Sequence, residues 1–175
     1  MQNTPKTLAF TGLRPHKLPW GFNEDTPACL SIKISICERL VALIETENVR
    51  YMISGMAMGI DLICAEIVLE LKKQYQGITL EAAIPFKEQD FLWPQRYRDR
   101  YRSVLDKCDD IHVISKKHTN DVYEKRNYYM VDKCGLLLAV WDGKLGGTGN
   151  IVRYAKTRGK RIIVIDPLKC SDIVD

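Results

Sequence analysis

Two glycine-bearing segments have the composition of turns that bind phosphate. The first covers residues 52–61, with the sequence MISGMAMGID, and passes from an apolar strand into a helix. Because Gly55 has no Cβ, backbone there can approach a ligand closely, and the free N–H groups of the new helix attract an anion. The same glycines also fit a turn that merely packs helix against sheet. The candidate ligand-binding residues here are Ser54, Gly55, Met56 and Gly59.

Asp61 lies in the first turn of the helix that follows this segment. A carboxylate there interacts favourably with the helix dipole but would repel a phosphate placed beside it. If Asp61 contacts a ligand, we therefore expect it to contact hydroxyl groups or a base. An aspartate that only stabilises the helix is the alternative.

The second segment covers residues 141–150, with the sequence WDGKLGGTGN, and again leads from an apolar strand into a helix. Successive exposed N–H groups would form an anion nest, with Thr148 as helix cap or phosphate donor. The spacing matches neither the P-loop nor the dinucleotide fingerprint, and a plain glycine-rich loop is the alternative. The candidate ligand-binding residues here are Asp142, Gly143, Gly146, Gly147, Thr148 and Asn150.

Two arginines could each bind a phosphate or carboxylate through the forked guanidinium group. Arg14 follows the first strand, after Thr11 and Gly12, and Arg126 precedes Asn127 in a predicted helix. We add these five residues to the candidate site. For an isolated arginine, a solvated surface position is the alternative.

Residues 96–102, with the sequence RYRDRYR, alternate cations with aromatic rings, a pattern that suits nucleic acid. On a helix, however, Tyr97 and Tyr101 share one face with Leu105, which predicts a core contact. Arg98 and Arg102 would then form a solvated stripe, and this is the interpretation we favour.

The histidines and cysteines predict neither a metal site nor a disulfide framework. The three histidines share no ligand spacing with one another or with the six cysteines, so we expect no metal. No C-x-x-C pair occurs, and scattered cysteines in a chain of this kind indicate reduced thiols used in packing. We expect this of all six: Cys29, Cys37, Cys64, Cys108, Cys134 and Cys170.

Short apolar runs alternate with helical patterns, which predicts a three-layer α/β Rossmann-like fold. We expect a mainly parallel sheet of about six strands with helices on both faces, forming one domain over residues 1–175. The predicted strands cover residues 7–11, 50–54, 79–84, 110–115, 135–141 and 161–166. In such sheets, ligands bind at the carboxyl ends of the strands, where both glycine segments lie.

Helix signals are strongest after the first strand. Thr26 and Pro27 predict a capped start, and an apolar stripe predicted to face the sheet follows at Leu30, Ile34, Cys37, Val41 and Ile44. Further helices are predicted at about residues 57–75, after Pro94, at residues 123–133 and from near Thr148.

Composition narrows the range of partners. The chain has 175 residues, 46% of them hydrophobic, and a net charge of +4 that is spread along the sequence. This charge permits an anionic ligand without requiring nucleic acid, which we do not expect as a partner. The N-terminus lacks the pattern of a secretory signal, and no apolar run reaches the roughly 20 residues of a membrane span, so we expect a cytoplasmic protein.

The two motifs together resemble the superfamily that joins DNA processing protein A (DprA, or SMF) with the LOG proteins (SLOG), especially its YpsA-like bacterial branch. Residues 54–61 are similar to the DprA pattern S-G-x-A-x-G-I-D. Arg126-Asn127 with Met130, then the strand at 136–139, Trp141-Asp142-Gly143 and Gly146-Gly147-Thr148, are similar to the LOG arginine and its P-G-G-x-G-T loop. The resemblance covers nearly the whole chain and implies a Rossmann-like fold, a nucleotide-type pocket and homodimerisation.

The LOG pattern is incomplete at one position. LOG enzymes hydrolyse the N-glycosidic bond of nucleoside monophosphates, and a glutamate needed for this chemistry follows their glycine-threonine turn. Asn150 stands where that glutamate is expected, and an amide can neither act as a carboxylate base nor stabilise a sugar cation by charge. The resemblance thus favours ligand binding over hydrolysis.

Three functions follow in order of preference. The first is a sensor or regulatory module that binds a phosphorylated nucleotide-like molecule, with no other cofactor. The second is a nucleotide-processing hydrolase or transferase that uses Asp61, Glu88 or Asp90 as the carboxylate and Arg126 as the phosphate clamp. The third is DprA-like binding of single-stranded DNA, against which the dispersed charge argues.

Overall fold

The computed structural model describes residues 6–169. Its core is a six-stranded sheet in which every pair of neighbouring strands is parallel. The strands are β1 (Lys6–Gly12), β2 (Val49–Ser54), β3 (Thr79–Ile84), β4 (Asp110–Val113), β5 (Leu136–Val140) and β6 (Arg161–Ile165). The helices are α1 (Pro27–Glu47), α2 (Ile60–Leu71), α3 (Gln95–Leu105), α4 (Val122–Lys133) and α5 (Gly147–Thr157). The predicted Rossmann-like α/β fold is confirmed.

Two hydrophobic cores lie on opposite faces of the sheet. The larger contains apolar side chains from α1, α2 and α3, such as Ile36, Ile63 and Tyr101. The smaller contains side chains from α4 and α5, such as Met130 and Ile151. Each helix therefore covers the sheet with one apolar face, as the three-layer arrangement requires.

The strand order β4-β3-β2-β1-β5-β6 places the reversal of the sheet between β1 and β5. From β1 the chain adds β2, β3 and β4 in one direction, then returns to place β5 and β6 on the other side. The loops that leave the carboxyl ends of β1 and β5 diverge at this point and open a crevice. Both β1 and β5 precede a segment that the sequence marked as a candidate site.

The predicted start of α1 is correct, and of its predicted buried stripe Ile44 is buried and Cys37 and Val41 pack partly buried against the core. Thr26 caps the helix by accepting a hydrogen bond from the N–H of Cys29 at 3.2 Å, and Pro27 is the first helical residue. Leu30 and Ile34, however, are 57% and 49% exposed. The buried face instead consists of Cys29, Ile32, Ile36, Leu40, Leu43 and Ile44. The helix is apolar on two adjacent stripes, so periodicity alone could not choose between them.

Helix α2 begins at Ile60 rather than at residue 57 and ends at Leu71 rather than at residue 75. The backbone before it cannot be helical, because Met56 has a φ of +56° and Gly59 a φ of +95°. Strand β4 is also shorter than predicted and ends at Val113.

Helix α3 confirms the core position of Tyr97 and Tyr101, each 2% exposed, while Leu105 at its end is only partly buried. The predicted solvated arginine stripe is right for Arg102, which is exposed, but Arg98 is partly buried, and the two approach Asp90 at 3.2 and 3.8 Å. The side chain of Asp90 is 7% exposed, so the two cations balance a buried carboxylate.

Arg100, on the same helix, is held between two acids. It donates hydrogen bonds to Glu24 and Glu66, at distances down to 2.6 and 2.5 Å. Most of the arginines in residues 96–102 therefore form ion pairs or hydrogen bonds with other residues of the chain.

The cysteines behave as expected where the structure describes them. Cys29, Cys37, Cys64, Cys108 and Cys134 are free thiols, and three of them are buried. Cys170 lies outside the described residues. Within residues 6–169 no helix is long and apolar enough to span a membrane.

Candidate functional site

A cavity of about 430 Å³ lies at the carboxyl ends of β1 and β5, a volume within the usual range for small-molecule sites. Ten of the residues proposed from the sequence line it: Thr11, Gly12, Arg14, Asp61, Arg126, Asn127, Asp142, Gly146, Gly147 and Thr148. The other six, Ser54, Gly55, Met56, Gly59, Gly143 and Asn150, do not. The structure therefore brings residues from four separate loops and helices to one crevice.

The first glycine turn accommodates a protein side chain at the point where the sequence suggested a ligand. Arg126 enters from α4, and its Nη1 donates a hydrogen bond to the carbonyl oxygen of Gly55. A Cβ on Gly55 would lie 2.7 Å from Cζ of Arg126 and 2.7 Å from Oδ2 of Asp61. The space that the glycine leaves open is thus occupied by Arg126, and Gly55 reaches the cavity only through this arginine.

The remaining polar groups of the first turn are bonded internally. Ser54 donates from Oγ to the carbonyl oxygen of Asp61 at 2.8 Å and accepts from the N–H of Met56 at 3.1 Å. A Cβ on Gly59 would lie 2.6 Å from the carbonyl oxygen of Leu13. This turn therefore packs α2 against the loop after β1.

Asp61 and Arg126 form a buried pair in the cavity wall. Oδ2 of Asp61 lies 3.8 Å from Nη1 of Arg126, and their side chains are 9% and 6% exposed. Oδ2 also accepts from the N–H of Ala57 at 3.4 Å, and Nε of Arg126 donates to Oδ1 of Asn127 at 3.0 Å. Burial raises the pKa of the Asp61 carboxyl, while the guanidinium groups of Arg126 and Arg14 oppose this rise.

The second glycine turn presents the amino terminus of α5 to the cavity. Gly146, with a φ of +144°, is the N-cap, and no side chain caps the helix. Thr148 is the second helical residue, so its predicted role as cap is wrong; its side chain belongs to the cavity wall. Gly147, Thr148 and Gly149 all line the cavity, and the first N–H groups of a helix have no partner within it.

The loop before α5 is closed by contacts of its own. The indole Nε1 of Trp141 donates to the carbonyl oxygen of Lys144 at 2.8 Å. A Cβ on Gly149 would lie 2.8 Å from the same oxygen, so only glycine allows this approach. Burial raises the pKa of Asp142, but hydrogen bonds from Lys144 outweigh burial and lower it overall.

Several lining residues were missed from the sequence, and Lys17 is the most informative. Its Nζ lies 3.1 Å from the position that a Cβ on Gly146 would take, beside the amino terminus of α5. A cation there opposes the helix dipole unless an anion lies between them. The only sequence signal for Lys17 was its proximity to Arg14. The other lining residues not selected were Phe10, Leu13, His16, Ala57, Tyr123, Met130, Trp141, Lys144, Leu145 and Gly149.

The carboxylates considered as catalytic replacements are mostly elsewhere. Neither Glu88 nor Asp90 lines the cavity, and Asp90 is engaged by the arginines of α3. Asn150 is exposed, and its Oδ1 accepts a hydrogen bond from Arg153 at 2.5 Å. Within the described part of the chain, Asp61 and Asp142 are the carboxylates that line the cavity, and no group of His, Cys, Asp or Glu side chains there could hold a metal ion.

Fold and site together define a Rossmann-like α/β protein with a ligand-sized cavity at the switch point of its sheet. The model of the YspA SLOG family (YpsA) matches residues 8–169, and the chain belongs to this family. The UPF0398 proteins of Bacillus thuringiensis (strain Al Hakam) and Bacillus cereus (strain Q1) are each 30% identical over 158 residues. These alignments cover 89% of this chain and 85% of each relative.

Two solved structures share the fold. DNA processing protein A (DprA) from Streptococcus pneumoniae superposes with a TM-score of 0.58 at 19% identity, over 98% of this chain and 52% of that protein. DprA from Helicobacter pylori, solved to explain its single-stranded DNA binding mode, gives 0.59 at 18% identity, over 93% and 66%. The chain thus spans about half to two thirds of these DprA chains. The predicted SLOG relationship is confirmed.

Proposed function

We propose that the cavity binds a phosphorylated nucleotide-like small molecule and that the protein acts as a sensor or regulatory module. The observation that carries this proposal is the placement of Lys17 beside the uncapped amino terminus of α5. Both are electropositive and both face the same cavity, so a phosphate between them would remove their mutual repulsion. Membership of the SLOG family supports the same conclusion.

The charges of the cavity wall favour an anion at the end formed by the start of α5. Lys17 and Lys144 lie near the start of α5, where Asp142 balances Lys144 at 3.3 Å. At the other end Arg126 faces Asp61 in a buried pair that is close to neutral, and Arg14 adds a positive charge near that pair. We assign the phosphate to the α5 end, where the first N–H groups of the helix add to the charge of Lys17, and the polar but uncharged part of the ligand to the Asp61 end.

Binding is the more economical proposal because both carboxylates that line the cavity within the described residues are already paired with cations. Asp61 is tied to a guanidinium group, and Asp142 to Lys144. Position 150, where LOG enzymes carry glutamate, holds an asparagine that is bonded to Arg153. A hydrolase would release free base from nucleoside monophosphates, and we expect no such release.

Calorimetry with a panel of nucleoside mono- and diphosphates tests the proposal. At least one member should bind, and the same nucleoside without phosphate should bind at least tenfold more weakly, because charge-assisted hydrogen bonds to the phosphate are lost. Failure of every phosphorylated member to bind would contradict the proposal.

Single-stranded DNA is the second candidate, on the strength of the fold shared with the Helicobacter pylori protein. The ion pairs of α3 argue against DNA binding, because Arg98, Arg100 and Arg102 already pair with acidic residues of this chain. Oligonucleotide affinity that falls steeply with salt would favour DNA binding. Homodimerisation, implied by the resemblance, is a separate proposal that light scattering can test.

A further inference from the structure

Asp61 leaves one carboxylate oxygen without a partner. Oδ2 faces Arg126 and the N–H of Ala57, whereas no residue between 6 and 169 donates a hydrogen bond to Oδ1. The side chain is 9% exposed and lines the cavity. Within residues 6–169 Oδ1 is bonded to no protein donor and is not sealed off from the cavity, so a hydrogen-bond donor on a bound ligand can reach it.

The sheet order gives the position of Asp61 relative to the phosphate end. The amino terminus of α5 follows β5, Arg14 follows β1, and Asp61 lies in the first turn after β2. Since β5, β1 and β2 are neighbours in the sheet, two strand spacings of about 4.8 Å separate the elements that carry the two ends, or roughly 10 Å. A sugar and its 5′-phosphates can bridge such a span.

An aromatic ring, that of Tyr123, lines the same cavity as Asp61. Tyr123 lines the cavity and contacts Phe86, which follows β3, with ring centroids 6.2 Å apart and edge to face. His118 meets the same ring at 6.1 Å, and the guanidinium group of Arg14 lies 6.0 Å from its centroid. The ring is thus fixed by neighbours and provides a surface on which a base can stack.

We infer, resting on the proposed function, that Asp61 accepts a hydrogen bond from the ribose 2′-hydroxyl and that the site selects ribonucleotides over 2′-deoxyribonucleotides. In this binding mode the phosphate lies at the start of α5, the base contacts Tyr123, and Asp61, which lines the same cavity, contacts the sugar. A carboxylate can only accept, and the hydroxyl groups of the sugar are the donors at that position.

Calorimetry with matched diphosphate pairs tests this inference: ADP with dADP, GDP with dGDP, CDP with dCDP, and UDP with dUDP. For the base that binds, the deoxy compound should bind about tenfold or more weakly, as expected when a hydrogen bond to a charged group is lost. If both members of a pair bind equally, the inference fails while the proposed function stands. If none of the eight binds, the corresponding monophosphate pairs are compared in the same way, and if no phosphorylated compound binds, the proposed function itself fails.

Two variants test whether Asp61 is the residue responsible for selectivity between ribo- and deoxyribonucleotides. Asp61→Asn keeps the shape but removes the charge, and the ratio between ribo- and deoxyribonucleotide should fall to about threefold or less, the value of a neutral hydrogen bond. Asp142→Asn removes a carboxylate from the other end of the cavity and should keep the wild-type ratio whatever its affinity. A wild-type ratio in Asp61→Asn, or an equal fall in both variants, overturns the assignment. If Asp61→Asn does not fold, the wild-type pairs still test whether the site selects ribonucleotides. A fall of the ratio in Asp142→Asn would still overturn the assignment to Asp61.

Discussion

Replacement of Gly55 by alanine should separate the two interpretations of the first glycine turn. In the structure, a Cβ at this position would lie 2.7 Å from Cζ of Arg126 and 2.7 Å from Oδ2 of Asp61. Gly55 has no positive φ, so alanine adopts its backbone conformation without strain and the effect is steric. Arg126 must move, which breaks its bond to the carbonyl oxygen of Gly55 and separates it from Asp61.

The size of the effect follows from burial of the pair. Disruption of a buried ion pair costs about 3–5 kcal/mol when one charge is left without its partner. Because Arg126 can shift without leaving the site, we expect about 3 kcal/mol of destabilisation for Gly55→Ala. Since the free energy of unfolding typically falls by about 2 kcal/mol per molar urea, the midpoint of urea unfolding should fall by about 1.5 M.

Urea unfolding followed by circular dichroism measures this change, and Gly135→Ala is the matched control. Gly135 also has no positive φ, and the nearest heavy atom to its Cβ would be the carbonyl oxygen of Thr7 at an ordinary 3.9 Å. The control should unfold within about 1 kcal/mol of the wild type. If Gly55→Ala behaves like the control, Arg126 does not depend on the space beside Gly55, and the structural role assigned to this glycine is wrong.

Three further predictions concern other parts of the molecule. Lys17→Ala should weaken binding of the nucleoside diphosphate about 3- to 10-fold and flatten its salt dependence without changing stability, as measured by calorimetry at two salt concentrations; an unchanged affinity would remove Lys17 from the phosphate site. Gly59→Ala should lower the free energy of unfolding by about 1–3 kcal/mol, because it combines a φ of +95° with a Cβ 2.6 Å from the carbonyl oxygen of Leu13; wild-type urea unfolding would refute this. Burial raises the pKa of Glu81, but hydrogen bonds led by Lys133 outweigh it and lower the pKa below its ordinary 4.5. A lowered pKa stabilises the fold above 4.5 and ceases to do so as pH falls through the folded value. Glu81→Gln should therefore be less stable than wild type at pH 7 and converge with it below that pH range, and a constant gap would contradict the assignment.

The centre of the sheet could be predicted from the sequence because strands such as β2 and β5 are short, mainly apolar runs, as a fold with two covered faces requires. The predicted and observed bounds of β3 agree at both ends, from Thr79 to Ile84. The register of α1 could not be predicted in the same way. Its second apolar stripe, which includes Leu30 and Ile34, satisfies the same periodicity as the buried one, and only the position of the helix on the sheet distinguishes them.

The part of the candidate site that could be predicted is the part formed by residues close together in the sequence. Gly146, Gly147 and Thr148 follow an apolar strand directly, and the start of α5 lies within one residue of its predicted position. The contact between Gly55 and Arg126 joins residues 71 positions apart, and no pattern within the turn indicates it. The serine and glycine that resemble a phosphate cradle therefore have a different physical role, which becomes evident only when α4 is placed over β1.

In the proposed binding mode, that role gives the first turn an influence on ligand specificity without direct ligand contact. Gly55 makes room for Arg126, and Arg126 in turn holds Oδ2 of Asp61, so that Oδ1 is left to the cavity. An unpaired Arg126 would add a second strong positive centre and favour phosphate at either end. In the proposed binding mode, Lys17 and the start of α5 bind the phosphate, while Asp61 balances Arg126 and Arg14 adds a positive charge near that pair. On that proposal, the glycine motif of the first turn helps to orient the ligand by holding Arg126 beside Asp61.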